Sequence, residues 1–287
     1  MKLGTTIPQD EPARVNGEFN IEKAFGCLAD AGIRGCMANF TPDEARWESW
    51  TRDMDRASRA CGVEILEYNP PFQVEALSRE RCAPEAMKFV RLLELAESIG
   101  CLEVCAGAAG PDFIYPHPWN RSQECHDLLK ETCMIIAAEC TRRNLKARLV
   151  LEPIYTTLLW SPLALARFVD EIGSPNIQGH MDIVNCLTFD NIFDNAEFTR
   201  DAFTILGNRI HSAHIKDAAP IRSWIAGISE CQVGEGILDL RPYLDCLNRM
   251  PPGFPALIEH VHTMAEIERS YQRTKAILEA MNVPVWR

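Results

Sequence analysis

Short apolar segments of strand character alternate with longer amphipathic stretches from one end of the chain to the other. Strands are expected at Lys2–Ile7, Gly35–Phe40, Val63–Asn69, Leu102–Ala106, Arg148–Glu152, Ile177–Asp182, Ile210–Lys216 and Ala256–Val261. Strict alternation of strand and helix calls for parallel strands joined by helical crossovers. Eight such units within 287 residues match a closed (β/α)8 barrel, and residues 1–287 are expected to form one domain. The rival is an open doubly wound sheet. It would carry a glycine fingerprint after its first strand, and Gly4-Thr5-Thr6-Ile7 is not one.

The helices carry their own punctuation. Thr41-Pro42-Asp43-Glu44 reads as a capping box whose helix runs to Gly62. Pro84 is expected to open another helix, closed at Gly100. Leu128, Leu129, Thr132, Cys133, Ile136, Ala137 and Cys140 mark one face of a helix starting near Asn120. Ser161-Pro162 begins the next, Gly173 ends it, and Thr263-Met264-Ala265-Glu266 caps the last.

Composition narrows the function classes. A net charge of −11 repels phosphate backbones, so nucleic-acid binding is not expected. None of the twelve cysteines forms a C-x-x-C pair, and most sit in apolar patterns, as Cys27, Cys133, Cys140 and Cys246 do. They are read as reduced, buried thiols of a cytosolic protein. No apolar run approaches the ~20 residues of a membrane helix, and the start at Met1 lacks a signal-peptide pattern. A soluble, cytoplasmic protein without membrane partners is expected.

Four strand-like segments end in metal-binding residue types: Glu152, Asp182, His214 and Glu259. They lie 30, 32 and 45 positions apart (182 − 152, 214 − 182, 259 − 214), and a barrel would gather them at its C-terminal end. A glutamate at a strand end is ordinarily a solvated loop residue or a cap. Here Glu152 and Glu259 each close an otherwise apolar strand, where a lone charge is costly unless a cation offsets it. Three carboxylates and an imidazole suit a six-coordinate divalent ion with open positions, Mn²⁺ first, then Mg²⁺, Co²⁺ or Zn²⁺. By alternation His180 should share the side of Asp182, and Ser212 and Lys216 that of His214. His211 should face outward, against helices. Lys216 is a candidate for substrate contact or an acid, or else an ion pair with Asp217 or Glu235. Glu67 and Asn69 are expected to line the pocket. Gly107-Ala108-Ala109-Gly110 allows close backbone approach, and Trp119, Trp160 and Trp224 fall in loops at the active end.

Gly207-Asn208-Arg209-Ile210-His211-Ser212-Ala213-His214-Ile215-Lys216-Asp217 and Val233-Gly234-Glu235-Gly236-Ile237-Leu238-Asp239 resemble segments of the sugar phosphate isomerase/epimerase family. This is the xylose isomerase-like TIM barrel superfamily. Leu151-Glu152-Pro153, Asp182 with Asn185, and Ile258-Glu259-His260 fit the same pattern in order and spacing, so the resemblance spans the chain. It implies that Glu152, Asp182, His214 and Glu259 hold the metal. It also implies that Glu152 and Glu259 exchange a proton with a carbon beside a carbonyl, one on each face. The chain departs from the ketose 3-epimerases at Leu158, Asn185 and Pro220, where those carry glutamate, histidine and arginine; Arg222 is a possible substitute for the last. Asn185 fits the broader isomerase and dehydratase-like branch.

The expected function is a metal-dependent isomerase or epimerase of a sugar or related polyhydroxy ketone, with Asn185, Lys216, His180, Glu67 and Asn69 toward substrate. The alternative is a lyase on the same scaffold, acting by inosose-type dehydration or keto-glycoside cleavage, with Lys216, His180 or His260 as acid. An endonuclease IV-like nuclease needs further histidines and a basic groove, and a non-catalytic barrel would have no use for an intact ligand set. By analogy with the family, a homodimer or homotetramer is expected.

Overall fold

The computed structural model describes residues 1–75, 78–109, 116–222, 224 and 227–285. Eight parallel strands form the barrel: β1 (Lys2–Thr6), β2 (Gly35–Asn39), β3 (Glu64–Asn69), β4 (Glu103–Ala109), β5 (Arg148–Glu152), β6 (Ile177–Met181), β7 (Ile210–Ile215) and β8 (Pro255–Ile258). They neighbour one another in the order β3-β2-β1-β8-β7-β6-β5-β4. Pairing of Tyr68 on β3 with Val104 on β4 closes the ring. Helices α1 (Ile21–Asp30), α2 (Trp47–Cys61), α3 (Arg79–Ser98), α4 (Gln123–Arg143), α5 (Pro162–Ile172), α6 (Asn195–Leu206), α7 (Leu240–Asn248) and α8 (Met264–Ala280) follow the strands in turn. This is the (β/α)8 barrel that the alternation required.

Alternation along each strand sorts side chains into two populations. Leu149 and Leu151, Val104 and Ala106, Ala213 and Ile215, and Ala256 and Ile258 join one apolar core shared with the helices. Their neighbours point into the barrel, where Met37, Leu66 and Leu257 make a small apolar cluster of their own. Val150 and Cys105 also face inward, and among them stand the buried polar groups Glu67, His180, Ser212 and His214 that carry the site.

Several helix signals act as read. Ser161 caps α5 by accepting from Ala164 N, Gly173 ends it with φ +63°, and Thr263 and Glu266 form a reciprocal capping box on α8. The buried face of α4 contains all seven expected residues, with Cys125 added.

Three boundaries differ. Thr41 forms no capping box; Asp43 instead caps a 3-10 turn over Glu44–Arg46, and α2 starts at Trp47. The Trp47 indole N–H donates to the Thr41 carbonyl from a fully buried position, so tertiary packing sets this entry. Pro84 lies inside α3, which begins at Arg79 because Cys82, Glu85 and Ala86 already belong to its buried face. The segment near Asn120 is a separate 3-10 turn, Pro118–Arg121, ahead of α4. An antiparallel hairpin, Asp217–Ile221 paired with Gly227–Cys231, follows β7 directly and was not foreseen.

All twelve cysteines are free. No described helix is long and apolar enough to cross a membrane.

Candidate metal centre

Glu152 ends β5, Asp182 follows β6, His214 lies in β7 and Glu259 follows β8. One donor atom from each falls within 4.8 Å of the others. Donors 2.0–2.6 Å from one ion lie about this far apart, so the set has the span of a coordination sphere. The residues present fit a divalent cation on a second ground. Asp182 Oδ2 is buried without a hydrogen-bond partner, although the Lys216 ammonium stands 2.9 Å away.

Each donor is held from behind. Asp182 Oδ1 accepts from the backbone N–H of Val184 (2.9 Å) and Asn185 (3.1 Å), leaving Oδ2 to face the site. The Asn185 side chain donates to Glu152 Oε1 at 2.9 Å. His214 Nε2 meets Glu67 Oε1 at 2.8 Å, which turns Nδ1 toward Glu152 and Glu259, each at 3.3 Å. A carboxylate behind a histidine fixes its ring orientation and raises its basicity as a ligand. The buried Tyr243 hydroxyl on α7 donates to the His214 carbonyl at 2.6 Å, with that of Met181 at 3.0 Å.

Exposure divides the four. Asp182 and His214 keep 1% of their side-chain surface, whereas Glu152 and Glu259 keep 13% each. The two glutamates are therefore the members that a molecule in the barrel mouth can reach.

The electrostatics separate them further. Burial raises Glu152 above the usual carboxylate range, and the charges of Glu259 and Asp182 add to this against the opposing His214 bond. Burial also opposes ionisation of Glu259, but His214 and Lys216 outweigh it and hold Glu259 well below that range. His214 is raised despite burial, by Glu259 and Glu67. Two carboxylates driven apart in this way are suited to opposite roles in proton transfer.

The other expected site residues are placed as follows. Lys216 points inward as alternation required. It pairs with Asp182, Glu259 (3.0 Å) and Glu230 (3.0 Å), rather than with Asp217 or Glu235. His180 and Glu67 are fully buried and therefore do not line an open pocket: His180 Nδ1 meets Ser212 Oγ at 2.7 Å and Glu67 at 3.3 Å. Burial of Glu67 opposes its charge, yet His214 and His180 bring it down to about 2. Asn185 supports Glu152, and Asn69 donates to Met37 Sδ at the end of β3.

His211 lines a cavity at one mouth of the barrel. A register irregularity between Ile210 and Ser212 brings it to that mouth, opposite the site, beside Arg148 and Glu103. Gly107, Ala108 and Ala109 belong to β4, and Gly110 lies outside the described residues. Trp119 sits in the 3-10 turn before α4, Trp160 packs edge-on against Tyr155, Trp224 is wholly exposed, and Arg222 is exposed after the first hairpin strand. Of the further histidines that a three-zinc nuclease would call on, His180 lies against His214 and His260 beside Glu259, while two others are remote. His126 pairs with Glu171 on the helical surface, and His211 is at the far mouth.

Three residues escaped the sequence reading. Glu230 on the hairpin contacts both Lys216 and His260 at the rim. Cys105 lies beside His214 in the interior. Asp217 accepts backbone N–H groups of Ala218, Gly234, Gly236 and Leu238, which fastens the segment after the hairpin to the end of β7. A Cβ at Gly236 would stand 2.2 Å from Asp217 Oδ1, so glycine is required there.

A family model described as xylose isomerase-like TIM barrel matches residues 25–282. The chain belongs to that family. Among solved structures, this xylose isomerase-like barrel resembles a D-tagatose 3-epimerase-like protein at 17% identity and TM-score 0.73, covering 98% of each chain. It also resembles a probable 3-DHS dehydratase from Bacillus anthracis at 13% identity and TM-score 0.70, covering 98% of this chain and 99% of that one. A third is a xylose isomerase-like TIM barrel protein from Mycobacterium smegmatis in complex with magnesium, at 14% identity and TM-score 0.69, covering 94% and 93%. Identities this low establish the shared barrel fold and nothing finer. Among curated proteins, none matches this sequence.

Proposed function

We propose that this xylose isomerase-like barrel is a divalent-metal-dependent isomerase or epimerase of a sugar or related polyhydroxy ketone. The observation that carries the reading is the convergence of Glu152, Asp182, His214 and Glu259, with only the two glutamates open to the mouth. The ion would be held by those four residues, Mn²⁺ first and Mg²⁺ next; when bound it polarises a substrate carbonyl and acidifies the adjacent C–H. The epimerase-like and magnesium-bound relatives support this reading.

Glu259, kept ionised by His214 and Lys216, is the general base. Glu152, the other carboxylate open to the mouth, returns a proton to the other face of that carbon. Asn185 and Glu67 keep Glu152 and His214 aimed. Lys216 supplies a fixed positive charge where negative charge develops on the substrate.

Lyase chemistry begins with the same proton abstraction. It is favoured as a second reading by His260, a 44% exposed imidazole at the rim that is raised in pKa, against burial, chiefly by Glu230 and Glu259. Incubation in D₂O with Mn²⁺ and a panel of ketoses, inososes and 3-keto-glycosides tests both. Deuterium at a carbon beside the carbonyl of unrearranged or epimerised sugar supports the isomerase, and an unsaturated product or freed aglycone supports the lyase. No metal-dependent exchange with any of them would sink both.

A further inference from the structure

Beneath the outer site lies a second group of potential ligands. Glu67 on β3, Cys105 on β4, His180 on β6 and His214 on β7 are all buried, and one donor atom from each lies within 4.8 Å of the others. Register places this group one layer deeper. Cys105 pairs with Val150, two residues before Glu152, and His180 precedes Asp182 by two. The donors also differ in kind. The outer set is three carboxylates and one imidazole, whereas the inner one has a thiol, two imidazoles and a single carboxylate. Hard oxygen donors favour Mg²⁺ or Mn²⁺, and a four-donor set of sulfur and nitrogen with one oxygen favours zinc.

Two unsatisfied atoms belong to this group. Glu67 Oε2 and His180 Nε2 are both buried and form no hydrogen bond, Oε2 having only the His180 Nδ1 nitrogen 3.3 Å away. In the tautomer where His180 Nδ1 donates to Ser212 Oγ at 2.7 Å, Nε2 is left as a bare lone pair. A buried carboxylate oxygen and a buried ring nitrogen that form no hydrogen bond are costly unless a cation joins them. The His180 and His214 rings lie 4.0 Å apart, centre to centre, and a donor nitrogen of each falls within the 4.8 Å span of the group.

We infer that Glu67, Cys105, His180 and His214 form a zinc site beneath the outer site. His214 serves both, with Nδ1 toward the outer donors and Nε2 toward Glu67, and with both ions bound it would be an imidazolate whose Nδ1 proton leaves to solvent as the outer ion enters. Zinc entry displaces the Cys105 thiol proton and the proton shared by His214 Nε2 and Glu67, and both leave to solvent. All four inner donors come from the protein, so the ion there is structural and ties β3, β4, β6 and β7 across the barrel. The inference stands whether or not the outer site is catalytic, because sulfur is found only in the inner set.

Cobalt substitution provides the test. The metal-free chain titrated with Co²⁺ should bind two ions and develop a thiolate-to-cobalt charge-transfer band, which Zn²⁺ then removes. Cys105→Ser should lose the band and one ion, whereas Glu152→Gln should keep the band. A wild-type titration without the band, or a band that survives Cys105→Ser, overturns the inference. Should Cys105→Ser fail to fold, zinc-edge X-ray absorption of the wild-type protein with one equivalent of Zn²⁺ decides. A sulfur neighbour at about 2.3 Å supports the site, and a shell of nitrogen and oxygen alone overturns it.

Discussion

The two mouths of the barrel use the same residue types to opposite effect. At the N-terminal mouth Glu103, Arg148 and His211 border a cavity of about 1100 Å³, with Phe254 and Pro255 on its rim. There Glu103 pairs with Arg148, one acid to one base. Burial nevertheless pushes Glu103 up to about 8 and His211 down to about 4, so both groups tend to discharge. At the C-terminal mouth burial pulls the same way and prevails at Glu152 but loses at Glu67 and Glu259. Glu67, Asp182, Glu152, Glu259 and Glu230 lie around Lys216 and His214; His214 and His180 hold Glu67 ionised, and His214 and Lys216 hold Glu259 so. An isolated buried pair relaxes by moving a proton. A crowded cluster with surplus acid cannot do so for every member, and a divalent cation is the natural complement to that surplus.

The sharpest attempt to break this contrast is Glu259→Gln. It should lower metal-dependent C–H exchange by about 10²–10⁴-fold, whereas His211→Gln at the other mouth should leave the exchange rate unchanged. Deuterium incorporation measured by mass spectrometry compares them, and equal losses would refute the division of roles.

Next in size is Lys216→Met. Removing the ammonium leaves buried Asp182 uncompensated, which should lower metal-free stability by about 3–5 kcal/mol. Mn²⁺ should recover much of that loss. Arg148→Met should cost less, about 1–3 kcal/mol, since Glu103 readily takes a proton, and Mn²⁺ should not repair it. Urea titrations with and without Mn²⁺ distinguish the two.

Asp217→Ala tests the frame beside the outer site. It leaves the buried Ala218 N–H and the part-buried N–H groups of Gly234, Gly236 and Leu238 without their acceptor, at about 1–3 kcal/mol for the first of them, and should slacken the hairpin that carries Glu230. Faster hydrogen exchange at Gly234 and Gly236 is the expected readout.

The smallest effect concerns pH. His211 binds its proton less readily folded than unfolded, so between about 6.5 and about 4 the unfolded chain holds more protons. Stability should therefore fall as pH drops through that window. His211→Gln should remove that part of the slope. An unchanged slope between pH 6.5 and 4 would place the titrating group elsewhere.

The same contrast explains what could be read in advance. Glu152 and Glu259 were legible because a charge ending an apolar strand stands out against its surroundings, and Asp182 and His214 followed from their spacing. Cys105 did not stand out, since a cysteine among apolar neighbours looks like any buried thiol. Glu230 lay hidden in a polar loop whose hairpin has no strong turn signature. Glu67 and His180 were placed on the right side of their strands but at the wrong depth. Alternation reports which face a residue takes and says nothing of the layer it occupies.

Local rules in the linear chain determined the number and order of strands, the caps of α5 and α8, the buried face of α4 and the four outer donors. Each of these depends on residues within a few positions of one another, or on a repeat imposed by the barrel itself. Packing alone decided where α2 and α3 begin, which mouth His211 joins, and that a thiol, two imidazoles and a carboxylate meet beneath the outer site. Those outcomes depend on distances between segments far apart in sequence, and such distances exist only once the barrel has closed.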